Sequence, residues 1–399
     1  MNSSTRLTTL TGTALALTAA MALTACGGDD ASSDAEPRKQ TKTSEAAAVR
    51  NPLVASYDGG LYVLDGETLR LAKTVELPGF NRVNPAGDED HVIISTDSGF
   101  RVFDAARQTF TDAEFKGSKP GHVVRHGGRT VLFTDGTGEV NAFDPADLAD
   151  GKQPRGRTYT SAEPHHGVAI ELADGELVTT LGTEEKRTGA IVLDRDNKET
   201  ARAENCPGVH GEAAAEGEVV GLGCEDGVLL YKDGRFTKVD APGDYARTGN
   251  QAGSDASPIL LGDYKTDPEA ELERPTRISL IDTRTAKMKL VDLGTSYSFR
   301  SLARGPHGEA LVLGTNGVLH VIDPETGKVE KKIEAVGDWT EPLDWQQPRP
   351  TLFVRDHTAY VSEPGKRRLH AFDLDSGQKV RSVTLPKGTN ELSGTVAGH

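Results

Sequence analysis

Eight times along this chain a short run of apolar residues ends in an aspartate and a turn. The copies are Leu61-Tyr62-Val63-Leu64-Asp65, Phe100-Arg101-Val102-Phe103-Asp104, Val140-Asn141-Ala142-Phe143-Asp144 and Ala190-Ile191-Val192-Leu193-Asp194. A degenerate copy, Val228-Leu229-Leu230-Tyr231-Lys232-Asp233, precedes Ile278-Ser279-Leu280-Ile281-Asp282, Leu319-His320-Val321-Ile322-Asp323 and Leu369-His370-Ala371-Phe372-Asp373. The aspartates are 39, 40, 50, 39, 49, 41 and 50 residues apart. A period of roughly 40–50 residues built from short strands is the signature of a propeller, in which a repeat cannot bury its apolar face alone and stacks on its neighbours. Each copy is preceded by another strand and a glycine-rich turn, as in Arg129-Thr130-Val131-Leu132-Phe133 before Gly136, and followed by a further strand, as in Lys328 to Ile333. Four antiparallel strands per repeat make a blade.

The fold expected is therefore an all-β propeller over residues 51–399, with eight four-stranded antiparallel blades and seven as the alternative. The first motif has one strand before it, Leu53 to Tyr57, and the chain finishes on Leu392-Ser393-Gly394-Thr395-Val396-Ala397, a strand with no blade of its own. That last strand is expected to become the innermost strand of the first blade, closing the ring and removing exposed strand edges.

The first 50 residues read differently. Arg6 is followed by an uncharged apolar or small stretch from Leu7 to Ala25, ending in Leu23-Thr24-Ala25-Cys26. This is the pattern of a lipoprotein signal peptide over 1–25, with Cys26 lipidated and the protein held on the outer face of the cell membrane. Residues 26–50 are polar, without periodicity, and are expected to be a solvated tether. That tether contains no histidine.

A net charge of −15 offers no basic patch to neutralise phosphates, which argues against nucleic acid as a partner. It suits a cationic ligand, although solubility is the commoner reason for such a balance. With Cys26 taken by the lipid, Cys206 and Cys224 remain as an even pair in an oxidising compartment, so a disulfide is the first reading and a metal-ligating Cys206 the other.

The inner strands of a propeller line its channel, and their first residues lie near one mouth. Three of them read Lys119-Pro120-Gly121-His122-Val123-Val124, Glu163-Pro164-His165-His166-Gly167-Val168-Ala169 and Cys206-Pro207-Gly208-Val209-His210-Gly211-Glu212-Ala213. His122, His166 and His210 succeed one another at intervals of 44 residues, one blade repeat, and each follows a proline by two or three residues and is expected to open its strand. Three imidazoles converging on the mouth suit zinc, whose tetrahedral sites take histidine nitrogen at about 2.0–2.1 Å, with a fourth position for water or a carboxylate. Candidates for additional ligands are His165, Glu212, Asp244 and Asp255. Glu163 and Glu212 are also candidates to accept hydrogen bonds from the ligating imidazoles. His320 and His370 fall inside the repeat motif and read as scaffold. His91, His126, His307 and His357 fall in turns or strand starts and are expected to have no converging partner.

At these residues the sequence resembles AztD-type zinc metallochaperones. The resemblance rests on His165-His166-Gly167-Val168-Ala169, on Cys206-Pro207-Gly208-Val209-His210-Gly211-Glu212-Ala213 with Cys224, and on Asn84-Pro85-Ala86-Gly87-Asp88 with His91. It implies a monomeric extracytoplasmic propeller, not an enzyme, that holds Zn2+ at its mouth through His122, His166 and His210. It also implies a Cys206–Cys224 disulfide and delivery of zinc to the solute-binding protein of a zinc ABC importer. The tether departs from a histidine-rich hand-off segment, so transfer would start at the mouth itself.

Two other readings use the same residues. Three histidines and a zinc-bound water suit a metal-dependent hydrolase or lactonase, with Glu212 as base. No HExxH or nucleophile elbow supports it. A quinone-dependent dehydrogenase would carry a tryptophan-rich blade signature, whereas Trp339 and Trp345 are the only tryptophans. A plain interaction scaffold would purify without stoichiometric metal.

Overall fold

The structure, a computed structural model, describes residues 49–396. The expected signal peptide, the lipidated Cys26 and the tether up to residue 48 lie outside the described residues. Among those described, no helix is long and apolar enough to cross a membrane.

Eight four-stranded antiparallel sheets follow one another around the ring, as the repeat implies. We number these blades in chain order. In blades 2 to 8 the chain runs from the inner strand outward, and in every blade the repeated motif supplies the third strand counted from the channel. Third strands are packed on both faces by neighbouring blades, which is why they read as continuous apolar runs; Gly60–Leu64 and Val318–Ile322 are buried at every position. Fourth strands lie on the outside and are largely exposed, as in Lys379–Thr384.

The repeated aspartate has a local cause. It follows the third strand and ties down the turn to the fourth by accepting backbone N–H groups, a role for which the short Asp side chain is suited. Asp65 accepts from Thr68 N at 2.9 Å, Asp104 from Arg107 N at 2.6 Å, Asp282 from Arg284 N at 2.9 Å and Asp373 from Ser376 N at 2.7 Å. Asp65 also accepts from Arg50 N at 3.0 Å, and Val49 is buried, so propeller contacts begin two residues ahead of the expected boundary at 51.

Closure occurs as expected, through a strand at Glu391–Gly394 that pairs with Leu53–Tyr57 in the register Leu53↔Gly394 and Ser56↔Glu391. The core is distributed between blades. Phe100, Phe115, Leu132 and Phe143 pack blades 2 and 3 together, and Tyr62, Leu64, Tyr360, Leu369 and Leu392 join blade 1 to blade 8. Two short 3-10 helices, Pro145–Asp150 and Pro364–Lys366, interrupt the strand pattern.

Candidate metal centre

The inner strands of blades 3, 4 and 5 are Pro120–His126, Ala169–Glu171 and His210–Ala215. His122 lies inside its strand, His166 three residues ahead of its own, and His210 opens its strand. The expectation that all three open a strand thus holds only for His210. Irregular backbone aims each side chain. Register shifts fall between Pro120 and Val123 and between His210 and Glu212. Such bulges re-aim side chains at the rims of sheets. The second one requires glycine: Gly211 has φ 72°, and a Cβ there would run into the Gly249 carbonyl and Gln251.

The structure brings the three imidazoles together. Ring centroids are 5.4 Å apart for His122 and His166, 5.6 Å for His122 and His210, and 4.9 Å for His166 and His210. One nitrogen from each ring falls within 4.8 Å of the other two. Nε2 of His166 and Nε2 of His210 are 2.9 Å apart. Nitrogens on one tetrahedral ion with bonds of about 2.0–2.1 Å lie roughly 3.3 Å apart, so the rings are near the required spacing.

Two of the rings, His166 and His210, are hydrogen-bonded at Nδ1, and His122 has a carboxylate nearby. His166 Nδ1 is hydrogen-bonded to Asp135 Oδ2, and Asp135 Oδ1 also accepts from Gly167 N at 3.3 Å. His210 Nδ1 lies 2.5 Å from the Gly249 carbonyl, and Gly249 N donates to Asp263 Oδ1 at 2.6 Å. His122 Nδ1 is 3.5 Å from Glu212 Oε2. An acceptor at Nδ1 favours the tautomer with its proton there, which leaves the Nε2 lone pair free to coordinate. The carboxylates of Asp135 and Glu212 also stand beside the three rings, an arrangement that suits a divalent cation. Burial, followed by the proximity of His122 and His166, pushes the pKa of His210 well below the ordinary histidine value, so this ring is held neutral. His166 is the most open of the three, its side chain 46% exposed against 20% for His122.

The additional candidates fare differently. Glu212 stands behind His122 rather than in the cluster. His165 is not a ligand here: it is buried against Phe133 with Nδ1 2.9 Å from the Glu163 carbonyl and Nε2 2.9 Å from Thr180 Oγ1, so both nitrogens are spent. The expected Glu163 carboxylate contact is thus replaced by a contact to its backbone carbonyl. Asp244 is exposed in a loop and outside the cluster. Asp255 follows Ser254, which bridges to Ala215 at the far end of the strand that His210 opens, and so lies toward the opposite mouth. Cys206 and Cys224 form a disulfide with Cα atoms 5.0 Å apart, which excludes Cys206 as a ligand. Asp135 and the Gly249 carbonyl were not evident in the sequence; the one signal for Asp135 was its place at the turn between the second and third strands, on the same mouth.

Two further expectations are corrected. His307 and His357 do converge, with ring centroids 5.3 Å apart and Asp375 beside them. His91 and His126 have carboxylate neighbours, Asp88 at 2.7 Å and Glu218 at 3.1 Å, but join no metal-ligating cluster.

Known proteins share this fold. No family model matches the chain. A curated protein, zinc chaperone AztD of Citrobacter koseri, is 26% identical over 282 residues, covering 68% of this chain and 64% of the relative. This chain resembles AztD. The match thus spans just under two thirds of that relative's length. A crystal structure of Citrobacter koseri AztD superposes with a TM-score of 0.74 at 20% identity, covering 87% of this chain and 98% of that one. The apo AztD structure from the same organism gives 0.73 at 21% identity over 86% and 96%. Dihydro-heme d1 dehydrogenase NirN, at TM-score 0.57 and 12% identity over 86% of this chain and 74% of NirN, shares the fold alone.

Proposed function

We propose that this chain is a zinc-binding metallochaperone that holds Zn2+ as cargo through His122, His166 and His210 and passes it to the solute-binding protein of a zinc ABC importer. The observation that carries this reading is the convergence of three imidazoles, two of them hydrogen-bonded at Nδ1 and the third beside Glu212, in a chain whose sequence match is named a zinc chaperone. The lipid on Cys26 and an extracytoplasmic location on the outer face of the cell membrane belong to the same proposal; the disulfide suits an oxidising compartment.

Release is by ligand exchange. Three protein ligands leave a fourth position open, so a partner's ligand enters before an imidazole leaves, and free aqueous zinc is never formed. The exposed His166 is the first ring an incoming group reaches. This avoids the full cost of dissociation, which for tight zinc sites is about 10–16 kcal/mol. Glu212 faces His122 instead of standing free as a base, which favours a carrier over a hydrolase.

The test is a zinc titration of tag-free protein with and without His166→Ala. Loss of the tight binding step in the variant is expected; unchanged affinity would refute the site. Stoichiometric transfer to the purified solute-binding protein, undiminished by a chelator of intermediate affinity, is the expected sign of direct exchange.

A further inference from the structure

His307, His357 and Asp375 come from three separate turns of blades 7 and 8. His307 lies between the inner and second strands of blade 7, Tyr297–Arg304 and Ala310–Gly314. His357 lies between Leu352–Arg355 and Thr358–Glu363, and Asp375 between Arg368–Asp373 and Lys379–Thr384. Turns between first and second and between third and fourth strands sit on the face opposite the mouth where His122, His166 and His210 meet. The two clusters are thus on opposite faces of the ring.

One ligand atom from each of the three residues lies within 4.8 Å of the other two. The imidazole planes are tilted by 70° with centroids 5.3 Å apart, and His357 Nδ1 is 2.8 Å from Asp375 Oδ2. The backbone under each residue is tied down. His307 N donates to Glu309 Oε2 at 2.9 Å, Leu374 N donates to the His357 carbonyl at 2.9 Å, and Lys331 Nζ donates to the Leu374 carbonyl at 2.7 Å. Three donors of metal-binding type therefore meet on rigid turns rather than on a loose loop.

From this we propose that His307, His357 and Asp375 form a second site, for a divalent transition-metal ion of the zinc class. Two imidazoles and one carboxylate suit zinc, copper or nickel and leave positions for water. When the ion enters, the proton on His357 Nδ1 moves to Nε2, and Nδ1 and the carboxylate turn from each other to the metal. All three side chains are exposed, so water competes and the site is weaker than the three-histidine centre. The inference does not rest on the chaperone reading; it stands on this cluster alone.

The experiment is a calorimetric zinc titration of the full, tag-free chain, followed by two variants. Wild-type protein is expected to take up two ions in a tight and a weaker step. His307→Ala/His357→Ala is expected to lose the weaker step and keep the tight one, whereas His166→Ala keeps the weaker step. Asp375→Asn, which conserves shape, is expected to weaken that step by about tenfold or more, the minimum cost seen even for groups one shell removed from a metal. Thermal unfolding of the variants checks that they fold. A wild-type protein that saturates at one ion, or a double variant that retains both steps, overturns the second site. Loss of the tight step alone in His166→Ala concerns the first centre and leaves this one standing.

Discussion

At the residue scale the three-histidine centre depends on what stands behind each ring. Asp135 fixes both the tautomer of His166 and the backbone at Gly167. Asp135→Asn keeps the volume and removes the charge. It is expected to weaken zinc binding about 10–100-fold, as for other groups that orient a ligating histidine, with the fold intact by circular dichroism. His210 gives a pH prediction. Its folded-state pKa lies well below the ordinary 6.5, first because of burial and then because of its two imidazole neighbours. The unfolded chain therefore binds a proton that the folded chain does not, and metal-free stability falls as pH drops below the unfolded value. Metal-free melts between pH 7 and pH 5 should show this decline, and His210→Gln should flatten it. A variant that declines as steeply as wild type would contradict the assignment.

At the scale of the element, blade 5 places its histidine with a staple. The disulfide joins Cys206, four residues ahead of His210, to Cys224 at the end of the neighbouring strand Val219–Cys224. It closes a loop with a sequence separation of 18 residues, worth about 3 kcal/mol in the chain-entropy model. Cys206→Ser/Cys224→Ser is expected to lower the urea midpoint accordingly and to weaken zinc binding as well, because the segment carrying His210 is freed. Reduced stability with unchanged zinc affinity would show that the staple serves the blade and not the centre. An even cysteine count in an oxidising compartment made the pair the first reading of the sequence, whereas the acceptor role of the Gly249 carbonyl was not legible there. A backbone carbonyl has no residue identity to read, and Gly249 is held in place by Asp263 of blade 6, whose own partners are set only by packing.

At the scale of the whole molecule, closure is the shared requirement. Glu391 on the closing strand accepts from Arg300 NH2 at 2.7 Å and Arg82 Nε at 3.2 Å, tying blade 1 to blades 7 and 2. Burial alone would raise the Glu391 pKa, yet the guanidinium groups of Arg82 and Arg300 hold it lowered. Removing residues 391–399 takes away both this network and the innermost strand. The uncovered edge of Leu53–Tyr57 becomes a template for pairing with another chain. Light scattering of the truncated protein is expected to show oligomers or aggregates, and a stable monomer would mean that the ring holds without its clasp.

The amino-acid sequence by itself determined a closed ring of four-stranded blades and its closing strand, with eight blades expected over seven, and the structure has eight. An apolar third strand and a turn-capping aspartate are local requirements, so they recur with every blade and leave a period. It also determined the phase of His122, His166 and His210, because equivalent positions in adjacent repeats must approach one another around a ring. What only the tertiary structure decided is which groups complete each cluster. His165 is next to a candidate ligand in sequence but points its nitrogens at Glu163 and Thr180. Asp135 is 31 residues from the ring it orients, and His307 and His357 meet although they share no phase with the first triad. Asp135 and the ring it orients come from different turns of adjacent blades, where distance along the chain carries no record of distance in space. His307 and His357 do share the first-to-second-strand turn of adjacent blades, and there it is the direction of the side chains and the approach of Asp375 that only packing decides.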